Sequence, residues 1–503
     1  MSRLWWSMDI ERLWQACLEA APNMALEDLT HPAPALEQLL HDARALEHVR
    51  GLLNGIWGQL PTNPAGSVLE ATLGIQVARA HNDDLLVARL LQRRSAGRFL
   101  VGERLKASSD AEAALALLAH VGLPPAQRAE ERAATLALLA NAQIALGKVN
   151  KALVALEEAI HIAEARGLTA ALGGYLSSVG NARLVQGRVR EAAEYYGRAL
   201  DLAERCRHPL GRAVNQGNLG LVHLALGNLE VAAEQLGAGL ALAEELGNRN
   251  TCSLLLANLG LVHLELGALL PARGACARAL SFAEQVGLVA GAARIELRLA
   301  RIEREAGQLD AADAHLARAD AKLAPRDPYR AELALEKGWI AWARGSGQRA
   351  AAALQQGLAE AERLGDVRLE LQARVALGYA TARAGYLDRA QATLERASAD
   401  AHEFEDVLWE ARARAGLAEV LAGQAQPEQA QAALEPLRRL PLPQPLHNRV
   451  RLAQLAVDWA RGLREQVAEQ LEAIARSAKD RGWGELARET QARLASVRAS
   501  ERA

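Results

Sequence analysis

Four arginines near the middle of the chain occur at helical spacing: Arg294, Arg298, Arg301 and Arg304. An apolar stripe adjoins them, formed by Ile295, Leu299 and Ile302. The arginines therefore share one face of a predicted helix. Guanidinium groups bind carboxylates and phosphates through paired hydrogen bonds, so this face is a candidate binding surface. The alternative is a solvated face on which the arginines pair with the nearby glutamates Glu296, Glu303 and Glu305, at about 0.2–0.5 kcal/mol per pair.

Two pairs of asparagines stand at equivalent places in a repeated pattern. Asn218 and Asn258 form one pair, and Asn141 and Asn181 form the other. An asparagine side chain offers one acceptor and two donors, which matches the backbone of an extended peptide. The alternative is that each amide bonds a neighbouring helix or faces water.

Three aromatic residues follow the arginines, namely Trp339, Trp342 and Tyr379. Aromatic side chains in a groove anchor the side chains of a binding partner. A helical core uses the same residues for packing, so both interpretations stay open here.

Catalytic and metal-binding motifs are lacking in the sequence. Gly147-Lys148 is followed by valine and has no leading glycine, so it does not form a phosphate-binding loop. Neither H-E-x-x-H nor G-x-S-x-G occurs. His223 and His263 occupy equivalent places and could hold a metal, but packing explains them better. We therefore expect no enzyme activity, no metal and no cofactor.

The positions of these residues follow from a recurring glycine. Five glycines stand 40 residues apart, and three more continue at intervals of 38, 40 and 38: Gly147, Gly187, Gly227, Gly267, Gly307, Gly345, Gly385 and Gly423. A fixed period of this length indicates a solenoid of stacked helical units. Glycine ends a helix easily because it tolerates the left-handed backbone conformation.

Small residues keep a constant distance from each turn glycine. Seven positions before the turn stand Ala140, Gly180, Gly220, Gly260, Ala300, Gly338, Gly378 and Gly416. Alanine stands five positions after it, and another small residue twelve after it. Two antiparallel helices approach closely only where the contacting side chains are small, so the pattern predicts a tightly packed helix pair in each unit.

This pattern resembles the tetratricopeptide repeat, in which each unit is a helix-turn-helix. The resemblance covers about residues 125–480, and the long period is similar to the repeats of kinesin light chains and of the sensor arms of large bacterial transcription activators. It implies an all-α, right-handed α-solenoid superhelix of antiparallel helix pairs. Because the period exceeds the usual 34 residues, we expect the second helix of each pair to be longer.

The resemblance also implies a function. The first helices of the pairs line the concave face in this family, and the position of Asn218 and Asn258 often presents an amide to a bound peptide there. All the candidate residues above would then face a groove that binds a protein or peptide partner. We expect a non-enzymatic scaffold; the alternative is a regulatory sensor that responds to a peptide or small effector.

The repeat pattern becomes irregular near both ends of the chain. We predict a helical N-terminal region over residues 1–124 that forms degenerate repeats or a cap, a regular array over 125–440, and a C-terminal repeat with capping helices over 441–503. Trp6, Ile10, Leu13 and Cys17 form one stripe of an amphipathic helix. PLPQP at 441–445 predicts a longer loop between helices.

The composition of the chain limits its possible partners and compartments. The chain has 503 residues and a net charge of −2, so nothing in its charge favours nucleic acid as a partner. The four cysteines form no C-x-x-C pair and indicate free thiols in a reducing compartment. No apolar run approaches the roughly 20 residues of a membrane span, and the N-terminus does not read as a secretory signal. We expect a cytoplasmic protein, and the sequence leaves its oligomeric state open.

Overall fold

A computed structural model describes residues 10–20, 34–464 and 466–502. These residues form 25 α-helices and a short 3-10 helix. The six helices before the regular array are Ile10–Ala20 (α1), Pro34–His41 (α2), Ala43–Gln59 (α3), Pro64–Ala80 (α4), Asp84–Val101 (α5) and Arg104–His120 (α6).

Nine consecutive antiparallel pairs and one final helix follow. The pairs are Pro125–Ala145 and Val149–Arg166 (α7, α8), Thr169–Val185 and Val189–Arg205 (α9, α10), Pro209–Ala225 and Leu229–Glu245 (α11, α12), Arg249–Glu265 and Leu269–Gln285 (α13, α14), Val289–Glu305 and Leu309–Lys322 (α15, α16), Tyr329–Ala343 and Gly347–Leu364 (α17, α18), Val367–Arg383 and Leu387–Glu403 (α19, α20), Val407–Gly423 and Pro427–Leu434 (α21, α22), and Gln444–Ala460 and Val467–Asp480 (α23, α24). The final helix is Gly484–Arg502 (α25). The predicted all-α solenoid of stacked helix pairs is confirmed.

In the three pairs from α9 to α14 every helix has 17 residues, so the period of 40 is shared equally between the two helices. In the other pairs the lengths vary: α18 has 18 residues and is longer than α17 with 15, whereas α16 has 14 and is shorter than α15 with 17.

The turn glycines adopt the left-handed conformation, with one exception. Gly147 has φ +78°, and Gly345 and Gly385 have φ +85° and +90°. Gly423 is instead the last residue of α21, and the left-handed residue of that turn is Ala425 at φ +59°. The interval of 40 residues continues from Gly385 to Ala425, so the predicted interval of 38 at this place was wrong.

Small residues stand where the helices of a pair touch. A Cβ atom added to Gly220 would lie 2.7 Å from Leu236 Cγ, and one added to Gly260 would lie 2.5 Å from Cys276 Sγ. Real Cβ atoms do not approach other atoms so closely, so a larger residue would force the pair apart. The close packing predicted from the small residues is thus present in the structure.

Successive turns of the superhelix touch one another. Gly147 lies against Leu364, and Gly307 lies against Gly484. Hydrogen bonds across such contacts join residues 181, 216 and 223 positions apart. At a period of 40, roughly five repeats complete one superhelical turn. The inner face therefore encloses an interior whose walls come from distant parts of the chain.

The two ends of the described chain deviate from the regular pairs. In α1, Leu13 and Cys17 are buried, whereas Trp6 lies outside the described residues. Helices α5 and α6 are joined at Gly102 with φ +94°, so a repeat-like turn occurs before residue 125. Near the other end α22 has only 8 residues and continues as the 3-10 helix Glu435–Arg439 before the proline-rich loop. The division of the chain into three domains remains a prediction.

No helix in the described part of the chain is both long and apolar enough to cross a lipid bilayer.

Candidate ligand-binding interior

The asparagines predicted to face a groove bond neighbouring side chains. Asn218 Nδ2 donates to Ser177 Oγ of the preceding first helix at 3.2 Å. Asn181 Oδ1 accepts from the Tyr196 hydroxyl at 2.7 Å. Asn141 is half-buried on α7. Each of these amides lies on a first helix of its pair, as the repeat pattern predicted.

Asn258 joins the amide series to the arginines. It is 3% exposed, and its Oδ1 accepts from Arg298 Nη2 at 3.0 Å. Burial, together with the like charge of Arg294, lowers the pKa of Arg298 to about 10. Arg294 itself pairs with Glu332 at 3.2 Å, and that carboxylate raises the pKa of Arg294.

Arg301 and Arg304 lie on the inner face and pair with carboxylates of other helices, Glu265 of the preceding repeat and Glu485 near the end of the chain. Glu265 accepts from Arg301 at 2.7 Å and from Arg412 at 2.5 Å. Arg304 Nη1 lies 2.5 Å from Glu485 of α25. Arg294, Arg301 and Arg304 therefore each pair with a carboxylate of this chain, whereas Arg298 bonds only the amide of Asn258 among the described residues.

Two of the three glutamates predicted as partners of these arginines lie elsewhere. Glu296 bonds His315 and Arg318, and Glu303 bonds Arg273. Of the three, Glu305 alone pairs with an arginine of the stripe, at 3.2 Å from Arg304. Glu296 and Glu303 point away because they occupy the side of α15 that faces the second helices.

Trp339, Trp342 and Tyr379 form one aromatic cluster. Their ring centroids are 5.7 to 6.1 Å apart, a range typical of edge-to-face contacts. The Tyr379 hydroxyl donates to the backbone oxygen of Arg412 at 3.0 Å. Gly416 leaves room for the tyrosine, because a Cβ there would lie 2.9 Å from Tyr379 Cζ. The cluster is part of the core, and Trp342 and Tyr379 also line a cavity; anchoring of a partner stays a prediction.

The cavity beside the aromatic cluster has a volume of about 650 Å³. The ends of α17, α19 and α21 form one wall, which includes Trp342, Tyr379 and Ala382. Helix α25 forms the opposite wall through Glu489, Ala492 and other residues. Pockets for small ligands range over roughly 300–1,000 Å³, so this volume is suitable for a ligand.

Helix α25 reaches the interior because its first residue is a glycine. A Cβ on Gly484 would lie 2.3 Å from the backbone oxygen of Ala306. The preceding Trp483 donates its Nε1 proton to the oxygen of Gly267 at 2.9 Å. The role of α25 as a wall was not predicted from the sequence, in which this helix was expected only as part of a cap. The Trp-Gly pair just before the helix was the available signal.

A second set of ion pairs connects α25 to the surrounding first helices. Arg449 pairs with Glu485 at 2.9 Å and with Glu489 at 3.2 Å. Arg493 pairs with Glu419 at 2.8 Å and with Glu489 at 2.6 Å. Burial raises the pKa of Glu419 and of Glu485 despite these partners. The carboxylates along the cavity are therefore matched by arginines deep in the interior.

Three arginines at the edge of the cavity are exposed. Arg344 pairs with Asp310 and Asp313 at 3.0 and 2.6 Å. Arg383 lies over the ring of Trp342, 5.1 Å from its centroid. Arg488 donates to the oxygen of Gly307 at 3.2 Å. Arg383 and Arg488 were not predicted as site residues, because no local pattern in the sequence distinguishes them from other surface arginines.

An apolar cavity of about 330 Å³ borders the first one. Glu419 and Arg493 contribute to the lining of both, so their ion pair separates the two spaces. Trp459 and Val467 are among the apolar residues of the second cavity.

The described residues contain no group of three or more metal-ligating side chains. His223 and His263 are half-buried, and burial lowers the pKa of each. The four cysteines are free thiols, and only Cys206 among them is exposed.

Comparison with known proteins yields structural matches only. No family model matches the chain, and no curated protein sequence matches it. A Rap protein complexed with competence and sporulation factor is similar at 13% identity and a TM-score of 0.55, over 71% of this chain and 99% of that one. The fold is a tetratricopeptide-type helical solenoid.

Two further solved structures of this repeat type resemble parts of the chain. The Rap conjugation gene regulator of plasmid pLS20, in complex with the Phr* peptide, has 16% identity and a TM-score of 0.49 over 63% of this chain and 96% of that one. The apo form of the quorum sensor NprR from B. thuringiensis has 14% identity and a TM-score of 0.44 over 71% and 98%.

Proposed function

We propose that this tetratricopeptide-type solenoid is a non-enzymatic interaction module that binds a short peptide or a segment of a partner protein in its interior. The observation that carries the proposal is the 650 Å³ cavity between the aromatic cluster and α25. Its wall combines aromatic anchors with charged groups, the combination that dominates binding energy at protein interfaces. The Rap protein of similar fold was solved with competence and sporulation factor.

The partner contacts only part of the concave face and does not occupy a groove along its whole length. Asn258, Arg301 and Arg304 are engaged by Arg298, Glu265 and Glu485 respectively. A ligand that used these three residues would first have to displace their buried partners. Each buried charge that is left without a partner costs several kcal/mol. Trp342 and Tyr379 border an open space and need no such displacement. Among the predicted site residues, we therefore place the aromatic ones at the centre of the contact.

We also propose that the protein is located in the cytoplasm. The free thiols Cys17, Cys206, Cys252 and Cys276 are compatible with a reducing environment such as the cytoplasm.

A substitution that fills the cavity tests the proposal. Ala492 lies on α25, lines the cavity and is exposed, so Ala492→Trp adds bulk without burying a polar group. Wild-type protein and the variant are incubated with a mixture of random pentapeptides, separated from free peptide by gel filtration, and analysed by mass spectrometry. We expect the variant to retain far less peptide. Ala495→Trp is the matched control, because Ala495 is exposed on the same helix and does not line the cavity. Equal retention by Ala492→Trp and Ala495→Trp would exclude this cavity.

A regulatory sensor is the second candidate function. Ion pairs inside the superhelix join residues far apart in sequence, such as Arg412 with Glu265 at a separation of 147 and Arg304 with Glu485 at 181. A ligand in the interior competes with these pairs and can thereby change the pitch of the superhelix, which is a population shift between two packings. Small-angle scattering with and without the retained peptides distinguishes the candidates: a sensor changes its radius of gyration, and a passive scaffold keeps it.

A further inference from the structure

Two arginines at the edge of the cavity form no ion pair with any described residue. Arg383 is exposed at the end of α19, and Arg488 is exposed near the start of α25. By contrast, Arg344 pairs with two aspartates, and the interior arginines Arg304 and Arg493 each pair with glutamates. Among the arginines that line the cavity, Arg383 and Arg488 are therefore the ones without an ion pair in the described part of the chain, although the charge of Arg383 helps to lower the pKa of Glu489.

Both arginines are held in place by contacts that leave donors free. The guanidinium of Arg383 stacks over Trp342, a contact that restrains the plane and uses no N–H group. One N–H of Arg488 bonds the oxygen of Gly307 at 3.2 Å. A guanidinium has five N–H donors in a planar fork. Arg383 and Arg488 are thus fixed cations with donors directed by neighbouring structure rather than freely rotating surface groups.

The wall next to these cations is apolar. Trp342 and Tyr379 lie beside Ala382, and Leu387 and Val420 complete this side of the cavity. The glutamates that line the same space are engaged by Arg493 and Arg449 and offer little to a cationic ligand. An acidic group at the edge and an apolar group at the wall therefore find complementary surroundings within one cavity.

We infer that the cavity selects a peptide that carries a carboxylate next to an apolar side chain, with the carboxylate on Arg383 and Arg488 and the apolar side chain against Trp342 and Tyr379. The inference rests on the proposed function and names the class of ligand for that site. The carboxylate can come from an acidic side chain or from the free C-terminus of a peptide, since both present the same planar pair of oxygens to a guanidinium.

Two mixtures of random pentapeptides distinguish these sources. One mixture has free C-terminal carboxylates, and the other has amidated C-termini. The full chain is incubated with each, and retained peptides are sequenced by mass spectrometry. Enrichment of Asp and Glu beside apolar residues in the amidated mixture assigns the carboxylate to a side chain. Preferential retention of the free-carboxylate mixture assigns it to the C-terminus. Either result supports the inference.

The double variant Arg383→Gln/Arg488→Gln tests the residues. We expect the preference for the carboxylate to fall by about tenfold or more, because two charge-assisted contacts are lost. Arg389→Gln/Arg396→Gln is the matched control: both arginines are exposed on α20, the charge change is the same, and neither lines the cavity. A carboxylate preference that survives in the first double variant would overturn the assignment to Arg383 and Arg488.

The remaining outcomes separate the inference from the proposed function. Retention of peptides with no bias toward carboxylates overturns the inference and leaves the binding function intact. If no peptide from either mixture is retained, the proposed function fails and the inference fails with it.

Discussion

Glu265 is the residue whose removal best tests whether the interior ion pairs hold the superhelical turns together. Its side chain is 6% exposed and accepts from Arg301 and Arg412, each 17% exposed. Glu265→Gln keeps the shape but removes the carboxylate that directly bonds two largely buried cations, leaving Glu305 as a more distant one. Breaking a buried ion pair by removing one partner costs about 3–5 kcal/mol. Because the amide retains one acceptor, we expect about 3 kcal/mol, the lower end of that range.

The shifted pKa of Glu265 also makes its contribution to stability depend on pH. Burial opposes its ionisation, but the charges of Arg412 and Arg301 outweigh burial and lower its pKa below the ordinary value of 4.5. The folded state therefore binds fewer protons at this site than the unfolded state near that pH. The stabilisation from Glu265 is complete above the ordinary pKa and is lost as the pH falls through the folded value. Wild type and Glu265→Gln should accordingly differ most at neutral pH and converge in acid.

Urea unfolding followed by circular dichroism measures the change in stability, and hydrogen exchange locates it. Repeat arrays can unfold in stages, so exchange rates in each helix are needed beside the midpoint. We expect faster exchange in α13, α15 and also α21, which is joined to Glu265 only through Arg412. Glu244→Gln is the control, because Glu244 forms an exposed pair with Arg278 and should cost about 0–1 kcal/mol. A Glu265→Gln effect no larger than this control, or one that does not reach α21, would refute the reasoning.

Two further predictions concern contacts between superhelical turns. Gly147→Ala should destabilise the fold by more than the roughly 1–2 kcal/mol of a left-handed alanine, because its Cβ would lie 2.0 Å from the backbone oxygen of Leu364. The urea midpoint measures the loss. Trp483→Phe should cost about 1 kcal/mol, because it removes the hydrogen bond from the indole to the oxygen of Gly267. Thermal unfolding measures this loss, and hydrogen exchange near Gly267 should accelerate.

Matched variants separate these effects from local ones. Gly247→Ala places alanine at φ +62° with no heavy atom within 4 Å of the new Cβ, so it shows the backbone cost alone. Trp459→Phe removes an indole that donates no hydrogen bond to a described residue. If Gly147→Ala behaves like Gly247→Ala, or Trp483→Phe like Trp459→Phe, the contacts between turns contribute nothing measurable.

The fold was predictable from the sequence because its determinants are local and repeated. A turn glycine and the small residues around it recur in nearly every unit, and each unit contacts its neighbours in a similar way. The one mistaken turn, at Gly423 rather than Ala425, occurred where a non-glycine residue takes the left-handed conformation. An alanine gives no signal of that conformation in a sequence, since it is rarely found there.

The site was predictable only in part. Helical register placed Arg301 on the inner face, where it binds Glu265 of the preceding repeat, but Glu265 also binds Arg412, which is 147 residues away. The pairing with Arg412 depends on how many repeats complete a superhelical turn, which small changes of packing angle decide. The position of α25 depends on the same quantity, because Gly484 must reach the end of α15. Local spacing contains no information about either distance.

Glu336 provides the opposite case to Glu265 within the same interior. Its Oε2 is buried, lies 3.5 Å from Arg304 Nε and accepts no hydrogen bond from a described residue. Burial raises the pKa of Glu336 above 4.5, although the charges of Arg304 and Arg301 oppose the rise. The folded state therefore holds a proton here at pH values where the unfolded state has lost it. The contribution of this group to stability falls as the pH rises from 4.5 through the folded pKa.

Glu336→Gln removes that cost, because the amide is neutral at every pH. We expect the urea midpoint of the variant to exceed that of wild type at pH 7 and to approach it as the pH falls well below 4.5, where the wild-type carboxyl is protonated in both states. Glu360→Gln, at an exposed pair with Arg363, is the control and should leave the midpoint unchanged at both pH values. A lower midpoint for Glu336→Gln at pH 7 would mean that Arg304 needs this charge despite Glu485 and Glu305. The interior would then be short of negative charge, and the unbalanced cations would extend from the edge of the cavity into its centre.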